Sequence, residues 1–353
     1  MASRVDTSFL ILSDTHGDQL IHPVTTNVDV AIHCGDLTEE SKLEEYQVAI
    51  KMLRGIDAPL KLVIAGNHDF SLDENVFETH LSEIRDKIND DQLLDTTYGK
   101  VGSARSLFES EDAKSAGIIF LDEGTHHFNL QNGAQLTVYA SPYTASKSKG
   151  WGFQYNPDEQ DHEWNIEKGV DLVLTHSPPQ GVLDYTDSRT RAGIPSLFGA
   201  VAQAKPRVHC FGHIHEAWGA KLVTWRDELS EPPSHFTDID NEKSQLIDSR
   251  AKLSRGKFDT QDVIEEKENR RRDYQRQGYR EINDVAICES EQTVFVNAAI
   301  EGAEGGQQQL PWIVNIQLPK QASSVKKSGK KRENSSGIVD ETDTERKRLK
   351  STG

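Results

Sequence analysis

The chain has 353 residues, 35% hydrophobic and 27% charged, with a formal net charge of −17. A chain of this length can bury a core that needs no disulfides, and its acidic balance disfavours a nucleic-acid polymer or an anionic membrane as partner. Three cysteines, Cys34, Cys210 and Cys288, stand far apart without C-x-x-C spacing, which points to a reducing compartment and to small buried packing roles.

Residues 1–8 hold no basic stretch followed by an apolar run. No apolar segment approaches the roughly 20 residues that span a bilayer, so the expected location is cytoplasmic or nuclear, with no membrane. In chain order, short apolar runs then end in polar, reactive residues. Residues 9–12 run into Ser13-Asp14-Thr15-His16, and residues 28–32 into His33-Cys34-Gly35-Asp36. A helix follows over 41–53. Ser41 and Glu44 have capping-box spacing, Leu43, Tyr46, Ile50 and Leu53 repeat at helical period, and Gly55 and Pro59 close the segment.

Residues 60–65 run into Gly66-Asn67-His68-Asp69, residues 172–174 into Thr175-His176, and residues 208–211 into Gly212-His213-Ile214-His215. Buried strands that feed functional loops have this form. Further strands are expected at 117–121, 135–140, 221–225 and 293–298. The strand–helix–strand start predicts an α/β fold, a sandwich of two mixed β-sheets flanked by helices.

Composition shifts at Arg226. Residues 226–285 are dense in charge and poor in aromatics, and they separate two expected strands. They read as a charged, largely mobile insertion with one charged helix over 262–275. The domain would thus comprise 1–225, with every reactive motif, and 286–318, with closing strands. Residues 319–353 lack apolar periodicity and read as a disordered tail. The tail carries the basic clusters Lys326-Lys327 with Lys330-Lys331-Arg332, and Arg346-Lys347-Arg348 with Lys350, candidates for a nuclear signal.

The motifs share one chemistry. Asp14 and His16 form D-x-H, and His213 and His215 form H-x-H. Residues two apart on extended backbone share a face and can reach one cation. Asp36, Asn67 and His176 each end an apolar run. Alone, each is an ordinary strand-end residue; together they make a ligand set. Imidazole with carboxylate suits zinc, iron or manganese, and a carboxylate can touch two cations at once.

The order D-x-H, G-D, G-N-H-D, H, G-H-x-H resembles the calcineurin-like metallophosphoesterase superfamily. Thr175-His176-Ser177-Pro178-Pro179, Ala140-Ser141-Pro142-Tyr143, Trp151-Gly152-Phe153 and Val296-Asn297-Ala298-Ala299 look like its MPPED-type branch. The likeness spans residues 9–225 and 293–300. It implies that Asp14, His16 and His215 hold one metal, that Asn67, His176 and His213 hold a second, and that Asp36 bridges them. His68 would face the substrate phosphate. The implied cofactors are two divalent or trivalent transition-metal ions (Mn, Fe or Zn). The implied reaction is hydrolysis of a small phosphate ester, above all a phosphodiester such as a cyclic nucleotide, by in-line attack of a hydroxide held between the metals.

Two other readings stay open: a nuclease or protein phosphatase on the same core, and a weakly active scaffold that binds a protein partner through the insertion or tail. Around the site, Asp69 is expected to fix the turn or orient His68. His33 could support Asp36 or simply pack. His126 and His127 read as solvated surface, and Arg189 and Arg191 as either phosphate contacts or a surface pair.

Overall fold

The computed structural model describes residues 3–85, 87, 90–148, 150–282, 291–302 and 308–321. In chain order the elements are β1 Arg4–Leu12, β2 Val30–His33, α1 Leu43–Arg54, β3 Leu60–Val63, α2 Glu74–Arg85, α3 Asp91–Thr97, α4 Ser103–Phe108 and α5 Glu111–Ser115. Strands β4 Ile118–Phe120, β5 Gly124–Asn129, β6 Gln135–Ser141, β7 Thr144–Ala145, β8 Gln154–Tyr155 and β9 Leu172–Thr175 follow. The remainder are α6 Pro195–Ala204, β10 Val208–Phe211, β11 Gly219–Thr224, β12 Gln245–Ser249, α7 Arg250–Leu253, α8 Gln261–Gln277, β13 Arg280–Ile282, β14 Gln292–Asn297 and β15 Trp312–Pro319.

They form the expected sandwich. One six-stranded sheet has the order β13-β15-β1-β2-β3-β4, and a seven-stranded sheet has the order β12-β11-β14-β10-β9-β6-β5. Both are mixed: β1, β2, β3 and β4 run parallel, whereas β15 is antiparallel to β1. In the second sheet β6, β9, β10 and β14 run parallel, flanked by antiparallel β5 and β11.

The apolar runs are continuous because both faces of each central strand are covered. In β1, Phe9 and Ile11 enter the core between the sheets with Leu172, Leu174, Val208, Val296 and Trp312. Leu10 and Leu12 pack on the opposite face with Tyr46, Ala49 and Leu53 of α1. The outer face of the second sheet buries Val173, Phe211 and Phe295 under Leu197, Phe198 and Val201 of α6. Such two-sided burial removes strand alternation. The carboxyl ends of β1, β2, β9 and β10 then face one rim of the sandwich, where open α/β sheets place their ligands.

Three local differences have physical causes. Helix α1 starts one residue later than its capping motif suggested, at Leu43, where the Lys42 N–H donates to Glu45 Oε2 at 2.9 Å. Ser41 is instead buried with φ 60°, and its hydroxyl joins Tyr46 and Ser71. Strand β1 begins five residues before its apolar run, because β15 pairs with it from Arg4↔Pro319 to Ile11↔Trp312 regardless of side chain. Residue 319, assigned to the tail from sequence, is therefore the last residue of β15.

The segment expected to be a largely mobile insertion is built into both sheets. Strand β12 pairs with β11, β13 pairs with β15, and Trp225 bridges Ile239. Helix α8 runs over Gln261–Gln277, capped by the Thr260 side chain and ended by Gly278 at φ 83°. The segment is anchored by scattered apolar residues, Leu253 and Ile282 in one core cluster and Ile239 in another, and by polar ones. Asp248 is 2% exposed and accepts from Arg280 Nε (3.2 Å) and the Tyr274 hydroxyl (3.3 Å). Asp238 is buried among donors from Ser230, Ser234 and Thr237. Apolar periodicity cannot report such contacts.

Cys34 and Cys210 are free and buried; Cys288, residues 322–353 and both basic clusters lie outside the described residues. Among the described residues no helix is long and apolar enough to cross a membrane.

Candidate metal centre

All seven expected ligands converge at this rim. Asp14 and Asp36 are 0% and 2% exposed, and His176 is 0% exposed. Asp14, His16 and His215 form one group whose ligand atoms lie within 4.8 Å of one another; Asp36, His176 and His213 form another. His16 Nε2 and His215 Nε2 are 3.4 Å apart, and His215 Nε2 is 3.3 Å from Asp14 Oδ1. On the other side His176 Nε2 is 3.1 Å from Asn67 Oδ1 and 3.2 Å from Asp36 Oδ2. Asp36 Oδ2 also lies 3.8 Å from His16 Nε2, so one carboxylate stands between the groups.

The backbone is bent to achieve this. Asp14, His16, Asp36 and His213 have φ of 54°, 45°, 52° and 68°. That left-handed region costs an L-residue of order 1–3 kcal/mol, and such strain clusters at functional sites. Two glycines permit the close approach. A Cβ on Gly66 would stand 2.3 Å from Asp36 Oδ1, and one on Gly212 would stand 1.9 Å from Asp14 Oδ2. Space, not a positive φ, requires glycine at position 66.

Three of the expected ligands, His176, Asp14 and Asp36, are held by neighbours. His176 Nδ1–H donates to the Cys34 carbonyl at 2.9 Å, which turns Nε2 inward. The His213 N–H donates to both Asp14 oxygens at 3.0 and 3.1 Å. The His68 N–H donates to Asp36 Oδ1 at 2.8 Å. Asp69 fixes the turn: its carboxylate accepts from the N–H groups of Gly66, Leu37 and Thr38 and from the Thr38 hydroxyl. Burial, then the Asp36 charge, pushes its pKa up to about 6. His33 is fully buried and pairs with Thr15 Oγ1 at 3.0 Å, beneath the Asp14–His16 loop.

The charges suit cations. Burial opposes ionisation of Asp36, but His176, then His16 and His68, hold its carboxyl far below the usual range. Burial likewise opposes the charge on Asp14, but its bond to His215 and the His215 charge lower it to about 2. Against burial, Asp36 lifts His176 and Asp14 lifts His215, each to about 9. Burial and the His176 charge push His213 down to about 4. Two buried carboxylates faced by imidazoles, with no lysine or arginine paired to them among the described residues, form a donor set that fits transition-metal ions.

The sequence profile of the calcineurin-like phosphoesterases matches residues 7–217. The chain belongs to that family. Similar proteins include the human metallophosphoesterase domain-containing protein 1, 31% identical over 219 residues, covering 60% of this chain and 62% of that protein. A probable rhamnogalacturonate lyase C of Emericella nidulans is 34% identical over 215 residues, covering 61% of this chain and 18% of that one. A UPF0046 protein of Caenorhabditis elegans is 29% identical over 215 residues, covering 60% of this chain and 52% of that protein. The chain thus spans less than two thirds of the length of these relatives.

Around this calcineurin-like core stand residues that sequence motifs did not single out. Glu39 Oε2 lies 2.8 Å from His16 Nδ1, and Glu301 Oε2 lies 3.1 Å from His16 Nε2. Neither glutamate belongs to a motif that would have flagged it. Trp151, noted only within Trp-Gly-Phe, covers His68 with ring centroids 4.1 Å apart. Arg191 pairs with Asp184 at 2.7 Å and stacks on Tyr185, so it is engaged outside the ligand groups. His126 and His127 lie on strand β5, also outside them.

Proposed function

We propose that this calcineurin-like chain is a dinuclear-metal phosphoesterase acting on small phosphodiesters, cyclic nucleotides among them. The observation that supports it is Asp36, whose Oδ2 lies 3.2 Å from His176 Nε2 and 3.8 Å from His16 Nε2, between the two ligand groups. In this reading Asp14, His16 and His215 would hold one cation and Asn67, His176 and His213 the other, with Asp36 shared between them. Manganese, iron or zinc suits those donors. When bound, such a pair would supply an activated water and offset charge on phosphoryl oxygens.

The protein's own residues supply the rest. His68 Nδ1–H donates to the Glu39 carbonyl at 2.7 Å, which fixes the ring and leaves Nε2 for the substrate. From Nε2, a protonated His68 can pass a proton to the departing oxygen. His68 also forms a ligand-competent group with His16 and Asp36, so its role as acid requires that it stay off the metal. Trp151 covers one face of the imidazole and limits water there. The choice of diesters rests on the MPPED-type resemblance and on the charge at the mouth.

Turnover of bis(4-nitrophenyl) phosphate and 4-nitrophenyl phosphate tests this reading. Hydrolysis should require added manganese, stop with chelator and return on reloading. Protein that carries two metals and hydrolyses neither ester, nor any cyclic nucleotide, would contradict it and favour a scaffold.

A further inference from the structure

We propose that Glu39 and Glu301 set the charge selectivity of the site, favouring singly charged phosphodiesters over doubly charged phosphomonoesters. The inference rests on the phosphoesterase reading and deepens it by assigning substrate class to residues of this chain. Both side chains are well exposed, 55% for Glu39 and 45% for Glu301, so they stand at the mouth and not in the core. Yet both reach inward. Glu39 Oε2 is 2.8 Å from His16 Nδ1 and 3.9 Å from His68 Nδ1. Glu301 Oε2 is 3.1 Å from His16 Nε2 and 3.4 Å from His215 Nδ1. They flank His16, whose Nε2 is 3.8 Å from the Asp36 carboxylate.

The two glutamates are held from the backbone. The Glu301 N–H donates to the Asp14 carbonyl at 3.1 Å, and the Ile300 N–H donates to the Ser13 carbonyl at 2.8 Å. Ala299 pairs with Ser13 as a parallel bridge. The Glu39 carbonyl accepts from His68 Nδ1 at 2.7 Å. Among the described residues no lysine or arginine forms an ion pair with either carboxylate, so their charge acts on whatever enters.

A charge count shows the consequence. If both cations are divalent, the Asp14 and Asp36 carboxylates would leave an excess of two positive charges, which Glu39 and Glu301 would offset. A phosphomonoester carries about −1.5 to −2 at neutral pH, whereas a diester carries one negative charge. The monoester's additional charge meets the rim carboxylates a few ångströms away in partly screened solvent. Each carboxylate should then disfavour it by about five-fold at low ionic strength.

The test uses Glu39→Gln, Glu301→Gln and the double variant in full-length, metal-loaded protein. Three quantities are compared: metal content, kcat/KM for 4-nitrophenyl phosphate against bis(4-nitrophenyl) phosphate, and the calorimetric Kd of inorganic phosphate. Each single change should keep wild-type metal content and raise the monoester-to-diester ratio about five-fold, and the double change more. Phosphate should bind correspondingly tighter, and about 0.5 M salt should shrink every effect. An unchanged ratio and Kd at full metal content would overturn the proposal. Loss of metal from Glu301→Gln would also overturn it, by making Glu301 a ligand. Should the wild type hydrolyse no ester, the phosphoesterase reading falls, while the phosphate Kd still decides whether these carboxylates repel anions.

Discussion

Gly212→Ala tests the packing of the centre through a single methyl group. The new Cβ would stand 1.9 Å from Asp14 Oδ2, 2.1 Å from Ser13 Oγ and 2.7 Å from Ser13 Cβ. Real contacts of that kind begin above 3 Å, so Asp14 must retreat by more than 1 Å. It has nowhere to go, being 0% exposed and bonded to the His213 N–H at 3.0 and 3.1 Å. Overpacking costs about 1–3 kcal/mol, and a hydrogen bond to a charged group contributes about 1.5–3 kcal/mol. A loss of about 3–5 kcal/mol is expected, which at roughly 2–4 °C per kcal/mol lowers Tm by about 6–20 °C. The bound metal should fall, because the change displaces Asp14 of one group and, through its bond to the His213 N–H, a member of the other. Gly199→Ala is the control: it lies in α6, and its Cβ would meet nothing nearer than Pro233 Cδ at 3.9 Å. That change should be neutral or stabilise by up to about 1 kcal/mol. Calorimetry and metal analysis of both variants decide the matter. Wild-type Tm and full metal content in Gly212→Ala would refute the close approach described here.

His68→Gln should retain both metals while lowering kcat, by about 10²–10⁴-fold for a poor leaving group and by less for nitrophenolate; an equal loss on both substrates would exclude proton donation. His209 is 0% exposed and burial lowers its pKa from 6.5 to about 3. Because the unfolded chain takes up this proton below about 6.5 while the folded chain refuses it, stability is lost as pH falls from 6.5 toward 3. At about 1.4 kcal/mol per pH unit, the wild type should lose about 2 kcal/mol more than His209→Gln between pH 6.5 and 5; parallel Tm profiles would contradict this. Asp248→Ala strands Arg280 and Tyr274 and should cost about 2–4 kcal/mol. A change below about 0.5 kcal/mol would suit a mobile segment and would contradict the fold described for residues 226–282.

What the sequence reveals follows from where its physics is local. The central strands are legible because Phe9 to Leu12 are apolar on both faces, one set meeting the opposite sheet and the other α1. The family is legible because its ligands sit at strand ends in a fixed order, and the profile match over residues 7–217 agrees. Convergence of Asp14, Asp36, His176 and His215 follows from parallel strands whose carboxyl ends share a rim. The first half of β1 is not legible, because residues 4–8 are held by backbone pairing to β15 and by polar contacts such as that of Ser8 with Asp29, which apolar periodicity does not report. The segment after Arg226 hides its fold for a related reason. Helix α8 buries only Ile264, and outside it scattered apolar residues such as Ile239, Leu253 and Ile282 share the anchoring with polar ones such as Asp248 and Asp238. Glu39 and Glu301 acquire meaning only when His16 stands between them.

Metal stoichiometry measured together with turnover on Asp36→Asn decides whether one carboxylate joins two metal sites. The wild type should carry two equivalents of transition metal. Asp36→Asn should lose metal from both groups and with it all measurable hydrolysis, because Asp36 Oδ2 lies against both His176 and His16. His16→Ala, in contrast, should empty mainly the group it shares with Asp14 and His215. Asp36→Asn protein that keeps two metals and normal turnover would show that Asp36 joins no metal sites.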